Sequence, residues 1–328
     1  MAVTRARISH SQGYGGKSLE STQHFLLALR LLRCALSADS APQESSLVVA
    51  ISLAIYANLN GSTTEIRTHL QGVKRILELR PGGLAALCSS APEVGNKVRR
   101  CDQELALLAG TPTLFGSQPS PLPRAPYVVP LGNRTSCVAL PYPLSETSQV
   151  VRFAMTDVLA LCSYAGSDRL SAFQYQDLVI SILQRLIDYA PLGGERPLHP
   201  VDDLCQLGLL AFMSTVLNHT PEERSTCSTL LANLLRTRLD RFGDEMSCGR
   251  SNKYLSLHLW LMFIYAVSAP DYEQCCDANS SVAGRIQVLA NALALEAWED
   301  VAAHLSLYPW VGEFHDEPGK KLWAVISR

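Results

Sequence analysis

The stretch YPWVGEFHDEPGKKLW, residues 308 to 323, sets Glu313, His315, Asp316 and Glu317 between two tryptophans. A carboxylate beside an imidazole can titrate near neutrality and move a proton. The flanking residues support a different reading. Trp310 and Trp323 each bring a large apolar body and one N–H that needs an acceptor. Phe314 adds apolar area, and Pro318-Gly319 suits a solvated turn before a short last helix over 317–327. The cluster is therefore read as a packed turn between buried anchors.

Asp202-Asp203 is the second candidate. It opens a predicted helix in the manner of the D-D-x-x-D of terpene cyclases, where carboxylates one turn apart hold magnesium against a diphosphate. The fifth position here is Gln206, and no second N-D-x-x-S-x-x-x-E motif follows. The plainer reading is a pair of carboxylates favourably placed at a helix N-terminus. An all-α enzyme of isoprenoid type is kept as the alternative function, and a helical scaffold as a third.

Other signals are weaker. GYGGKS (Gly13–Ser18) ends like a phosphate loop, but Ser11 stands where the first glycine is required and no strand precedes it. None of the ten cysteines forms a C-x-x-C, which argues against a structural zinc. The adjacent Cys275 and Cys276 are geometrically poor disulfide partners. His69 and His258 lie on predicted helices among apolar residues, as packing imidazoles. No G-x-S-x-G, H-E-x-x-H or i, i+4 histidine pair occurs. The expectation is a chain with no catalytic residue, cofactor or metal.

The bulk properties narrow the partners. A formal charge of −2 over 328 residues lacks the basic excess that binding phosphates requires, so direct DNA binding by this chain is not expected. With 47% hydrophobic and 18% charged residues, the chain can bury a substantial core. Met1 to Lys17 is polar and Gly-rich, unlike a secretory signal, so the thiols are expected to stay reduced. The longest apolar run, LSLHLWLMFIYAVSA (Leu255–Ala269), is shorter than the roughly 20 residues a bilayer needs and reads as a core helix.

Helical spacing then organises nearly the whole sequence. Ile66, Leu70, Val73 and Leu77 share a face, as do Val179, Ile182, Leu186 and Tyr189, and Leu231, Leu235, Leu239 and Phe242. Ser62 to Glu65 and Ser171 to Gln174 are capping boxes, and Thr220-Pro221 is a third helix start. Helices are predicted near 18–37, 44–60, 64–80, 93–109, 146–165, 172–190, 201–218, 221–241, 252–268, 280–306 and 317–327. The fold class is all-α, a multi-helix bundle of packed antiparallel helix pairs forming one large domain. Residues 1–17 are read as a flexible tail. Residues 18–111 form an N-terminal helical part, 112–144 a Pro-rich crossing loop with eight of the eighteen prolines, and 145–328 a C-terminal helical part.

At EIRTHLQGVKRILELRPGGLAAL (Glu65–Leu87) the sequence resembles the regulatory region of fungal zinc-cluster transcription factors, the fungal-specific transcription factor domain. His69, Leu70, Gly72, Arg80, Gly82 and Gly83 match that family's H-L-x-G…R-G-G pattern, with Pro81 inserted. RRCDQELALLAGTPTLF is similar to a later family segment through Asp102, Ala106, Pro112 and Phe115. The apolar run at 255–269 resembles its long core helix, and Pro309, Trp310, Gly319, Leu322 and Trp323 its closing P-W and G-x-x-L-W. The four stretches fall in the family's order over about residues 20–328.

The resemblance implies a non-enzymatic regulatory domain. It would act in the nucleus through protein partners, either coregulators or a DNA-binding subunit, with room for a small effector. It also implies that the six-cysteine zinc module is missing, as in a free-standing regulatory relic or a truncated gene product. His69, Gly72, Arg80, Gly82, Gly83, Asp102, Pro112, Trp310, Gly319 and Trp323 would then be structural family positions.

Overall fold

The computed structural model describes residues 19–36, 44–116, 144, 147–164, 170–217, 227–247 and 252–327. All regular structure among them is helical, which bears out the all-α reading. Internal contacts divide the chain into two units, Met1–Ser120 and Pro121–Arg328. Thr220-Pro221 and residues 117–143 of the Pro-rich loop lie outside the described residues.

The first unit holds α1 (Leu19–Leu36), α2 (Glu44–Leu59), α3 (Thr63–Glu78), α4 (Gly83–Ser90) and α5 (Pro92–Ala109). Helix α2 is apolar along most of its length, with Leu47, Ala50, Ile51, Ala54 and Ala57 in the core. Its partner α3 contributes the predicted stripe of Ile66, Leu70, Val73 and Leu77, plus Ile76. Gly61, at φ 68°, turns the chain between them, and the Ser62 hydroxyl accepts from Glu65 N at 3.3 Å. Burying such a stripe stabilises by roughly 1.5–3 kcal/mol per large side chain before entropy is counted. Helix α5 crosses both α2 and α3 and carries Val98, Cys101 and Leu105 into the same core.

The second unit holds α6 (Gln149–Tyr164), α7 (Ala172–Tyr189), α8 (Pro200–Leu217) and α9 (Thr229–Ser247). After a 3-10 turn (Asn252–Tyr254) come α10 (Leu255–Ser268), α11 (Tyr272–Cys275), α12 (Ser281–Ala292), α13 (Trp298–Leu305) and α14 (Gly312–Ile326). Helix α10 is its axis, buried on every side from Leu257 to Ser268 and touching α8, α9, α12, α13 and α14. A helix apolar all round must sit in a core or a membrane. Here neighbouring helices cover it, and no helix among the described residues is long and apolar enough to cross a membrane. Gly208 lets α8 approach closely, because a Cβ there would meet Leu261 and come within 3.1–3.2 Å of the Trp260 ring.

Four predicted elements are corrected. Helix α4 was not expected, because its eight residues, GLAALCSS, carry no polar face to set a period. The helix expected over 221–241 runs instead from Thr229 to Ser247, behind a Ser228 hydroxyl that accepts from Leu231 N at 3.3 Å. The single helix expected over 280–306 is two, α12 and α13. Ala294 adopts φ 54°, and the N–H groups of Leu295 and Ala294 donate to Ala290 O (2.9 Å) and Asn291 O (3.1 Å). That is the Schellman ending, with alanine where glycine usually gives the signal. Ala294→Gly should therefore stabilise the protein by about 1 kcal/mol, read as a higher midpoint in urea, since glycine reaches this conformation without a Cβ clash. The last helix starts at Gly312, five residues before the predicted 317, and runs through Pro318.

Candidate functional site

The residues expected in a wet turn form the first turns of α14, and the polar groups of His315 and Asp316 close on the protein itself. His315 is fully buried. Val311 N–H donates to its Nδ1 at 3.0 Å, so the neutral ring carries its proton on Nε2. Nε2 then donates to Thr215 Oγ1 at 2.7 Å, and the Thr215 hydroxyl donates to Phe212 O at 2.6 Å. A threonine against a histidine resembles a nucleophile and its base, but here the imidazole is the donor and the hydroxyl proton already has an acceptor. The pair fastens α14 to α8.

Asp316 accepts from Trp310 Nε1 at 2.8 Å, while Glu313 and Glu317 face solvent. Trp310 lies 4.9 Å from the His315 ring and edge-on to Phe263. Nearby, Trp260 stacks on Tyr308 at 5.4 Å and donates to Pro309 O at 2.8 Å. Gly319 is required by this packing, because a Cβ would come 2.7 Å from Trp298 and 3.2 Å from Trp310. Trp323 is buried on the same helix.

Asp202 and Asp203 are buried and committed. Asp203 Oδ1 accepts from Arg196 Nε (2.8 Å) and Nη2 (2.6 Å), and Oδ2 pairs with Arg238 Nε at 2.7 Å. Asp202 Oδ1 accepts from Ser148 N at 2.7 Å, just before α6. Gln206, at the position where a cyclase motif needs a third carboxylate, donates to Leu186 O (2.9 Å) and Ala190 O (3.0 Å) at the end of α7 and accepts from Arg196. The D-D-x-x-Q segment thus ties the start of α8 to α6, α7 and α9. No group of three or more His, Cys, Asp or Glu among the described residues is arranged to hold a metal.

The N-terminal family positions also serve packing. His69 meets Phe25 of α1 edge-on at 6.2 Å, and burial pulls its pKa below the ordinary value against the opposing pull of Glu65. Arg80 to Gly83 form a turn closed by Gly83 N–H to Arg80 O at 3.0 Å, with Pro81 second and Gly82 third at φ 76°, ψ 0°. That is a type II turn, which favours proline and glycine at those two places. The inserted Pro81 is thereby accommodated and α4 is launched. A Cβ at Gly72 would meet nothing within 4 Å, and no feature of the structure explains that glycine.

Asp102, 1% exposed, accepts from Leu114 N (2.8 Å) and Phe115 N (3.0 Å). Lys74 Nζ holds Leu114 O at 3.2 Å. These bonds fold the strap around exposed Pro112 back onto α5 and α3. The partners Arg196, Arg238 and Thr215 were missed in the sequence. Only Arg196 is close in sequence to the residue it serves, and nothing in its type marked it.

Comparison with known proteins agrees with the N-terminal reading. Residues 1–106 match the model of the fungal specific transcription factor domain. That span includes all of Glu65–Leu87 and the next stretch through Ala106, while residues 255–269 and 308–323 lie beyond it. No curated protein and no solved structure matches the chain. Over residues 1–106, therefore, this chain carries the likeness of the fungal specific transcription factor domain, the family to which His69, Leu70, Gly72, Arg80, Gly82 and Gly83 point.

Proposed function

We propose that the chain is a non-enzymatic regulatory body of the fungal transcription factor type. The match over residues 1–106 carries the reading. The two helical parts, 18–111 and 145–328, act as one regulatory domain in the nucleus. They engage coregulators or a DNA-binding subunit, and a small effector where grooves between helices admit one. Among the ten family positions from His69 to Trp323, those with packing contacts, such as His69, Asp102, Trp310 and Gly319, maintain the body that presents those surfaces. Two observations support a binding role over a catalytic one. The carboxylates of Asp202 and Asp203 are held by guanidinium and backbone donors, and the His315 imidazole donates to Thr215. The net charge of −2 leaves DNA contact to a partner.

The test is to fuse the full chain to an unrelated DNA-binding module upstream of a reporter in a fungal host. A several-fold change in transcription relative to the module alone is expected. An unchanged reporter, with the folded fusion occupying its site, would overturn the proposal.

A further inference from the structure

Helix α1 of the first unit turns a row of leucines to solvent. Its inner face is set by Phe25, which stacks on Tyr56 of α2 at 4.8 Å and meets His69 of α3 edge-on, and by Leu32, packed against the core. The opposite face carries Leu19 (77% exposed), Leu26 (54%), Leu27 (51%) and Leu31 (60%). Gln23, Arg30 and Cys34 stand exposed among them. A surface helix ordinarily turns its polar side outward. One bare leucine is unremarkable, but a cluster of them on one helix face is the mark of a contact surface.

The adjoining sequence offers little to cover that face. Residues 1–17 hold Met1, Val3, Ile8 and Tyr14 among mainly polar and glycine residues, and residues 37–43 read SADSAPQ. The outward residues do match themselves. Set antiparallel to a second α1 about the midpoint between Leu26 and Leu27, apolar positions meet apolar ones and polar meets polar. Leu26 faces Leu27, Leu19 faces Cys34 and Gln23 faces Arg30, while Leu31 falls opposite Thr22 at the margin. A two-fold contact requires this inversion, since one surface must complement itself.

We infer that α1 is the contact between two copies of this chain, paired antiparallel about a two-fold axis at Leu26 and Leu27. The leucines supply the buried apolar area, and the amide of Gln23 against the guanidinium of Arg30 fixes the register, as a polar pair does in a helix seam. Helix α1 is about 27 Å long, so the interface is at the small end of specific contacts and the dimer exchanges with monomer. The inference rests on this face and is independent of the regulatory reading.

Sedimentation equilibrium of the purified full chain, from low micromolar to a few hundred micromolar, is the test. A monomer–dimer equilibrium with a Kd on the order of ten micromolar is expected. Leu27→Glu sets two carboxylates against each other at the axis and should weaken association at least about tenfold. Its urea midpoint should hold, because Leu27 is already half exposed. Val288→Glu, at an exposed valine of α12, should leave association unchanged. Mild oxidation reads the register. Leu19→Cys should form an intermolecular disulfide with the partner's Cys34, and adding Cys34→Ser should abolish it. In the unaltered chain the two Cys34 thiols stand about 22 Å apart and should not join. A chain that stays monomeric throughout overturns the inference, as does a Leu27→Glu variant that associates like the unaltered protein. Equal loss in Val288→Glu overturns it by assigning association elsewhere, and a Cys34-to-Cys34 disulfide overturns the antiparallel pairing.

Discussion

Replacing Asp203 by alanine lowers stability by about 3–5 kcal/mol, the range expected when one partner of a buried ion pair is removed. The carboxylate accepts from two guanidinium groups, Arg196 and Arg238, and the Arg196 side chain is itself only 9% exposed. Without Asp203, Arg196 keeps its bond to Ala190 O at 2.9 Å and its contact with Gln206, but its charge is left buried and uncompensated. Urea unfolding should show a lower midpoint with little change in slope. Changing Arg196 to methionine in the Asp203→Ala background should restore part of the loss, because an apolar replacement leaves no buried charge. A midpoint within experimental error of the unaltered protein would mean that the carboxylate is free for another task.

The second large effect concerns acid. His258 is 3% exposed, sits edge-on to Phe242 at 5.4 Å, and has no partner for either ring nitrogen among the described residues. Burial, helped by the nearby Arg285 charge, lowers its pKa from 6.5 to about 4. The folded state therefore resists a proton that the unfolded state accepts below about 6.5. Stability must fall as pH drops from 6.5 towards 4 and level off below that. At 1.36 kcal/mol per pH unit, the loss approaches about 3 kcal/mol. His258→Leu removes the titration and the two unpaired ring nitrogens. It should raise stability at pH 7 by about 1–3 kcal/mol and flatten the response between pH 6.5 and 4. Urea midpoints at several pH values decide it. A leucine variant that loses stability in parallel with the unaltered protein over that interval would assign the acid sensitivity elsewhere.

What the sequence disclosed depended on the range of the interaction. The Ile66–Leu77 stripe, the Ser171 capping box and the all-round apolar α10 are written within one or a few helical turns, and the structure repeats them. Helix α4 is too short and uniformly small to show a period. The break between α12 and α13 uses Ala294 in a left-handed conformation that glycine would have announced. Pro318 suggested a boundary, yet α14 begins before it because His315 and Asp316 tie its first turns to Val311 and Trp310.

The partners of the candidate residues were hidden for the same physical reason. His315 reads as wet beside three carboxylates, but its decisive partner, Thr215, lies 100 residues away on α8. Asp203 reads as a helix-start carboxylate, but its role is set by Arg196 seven residues before it and by Arg238 on another helix. Asp102 was more legible. The residues it binds return after Gly110, whose φ of 70° ends α5, so the strap follows directly in sequence.

The acidic pair on α8 holds helices together, its carboxylates taken up by Ser148, Arg196 and Arg238. The direct measurement is the melting temperature of the purified chain with and without millimolar magnesium and a prenyl diphosphate, since a ligand that binds the folded state must raise it. No shift from either addition and no released diphosphate are expected. A magnesium-dependent rise that disappears in a folded Asp203→Asn variant would contradict this role.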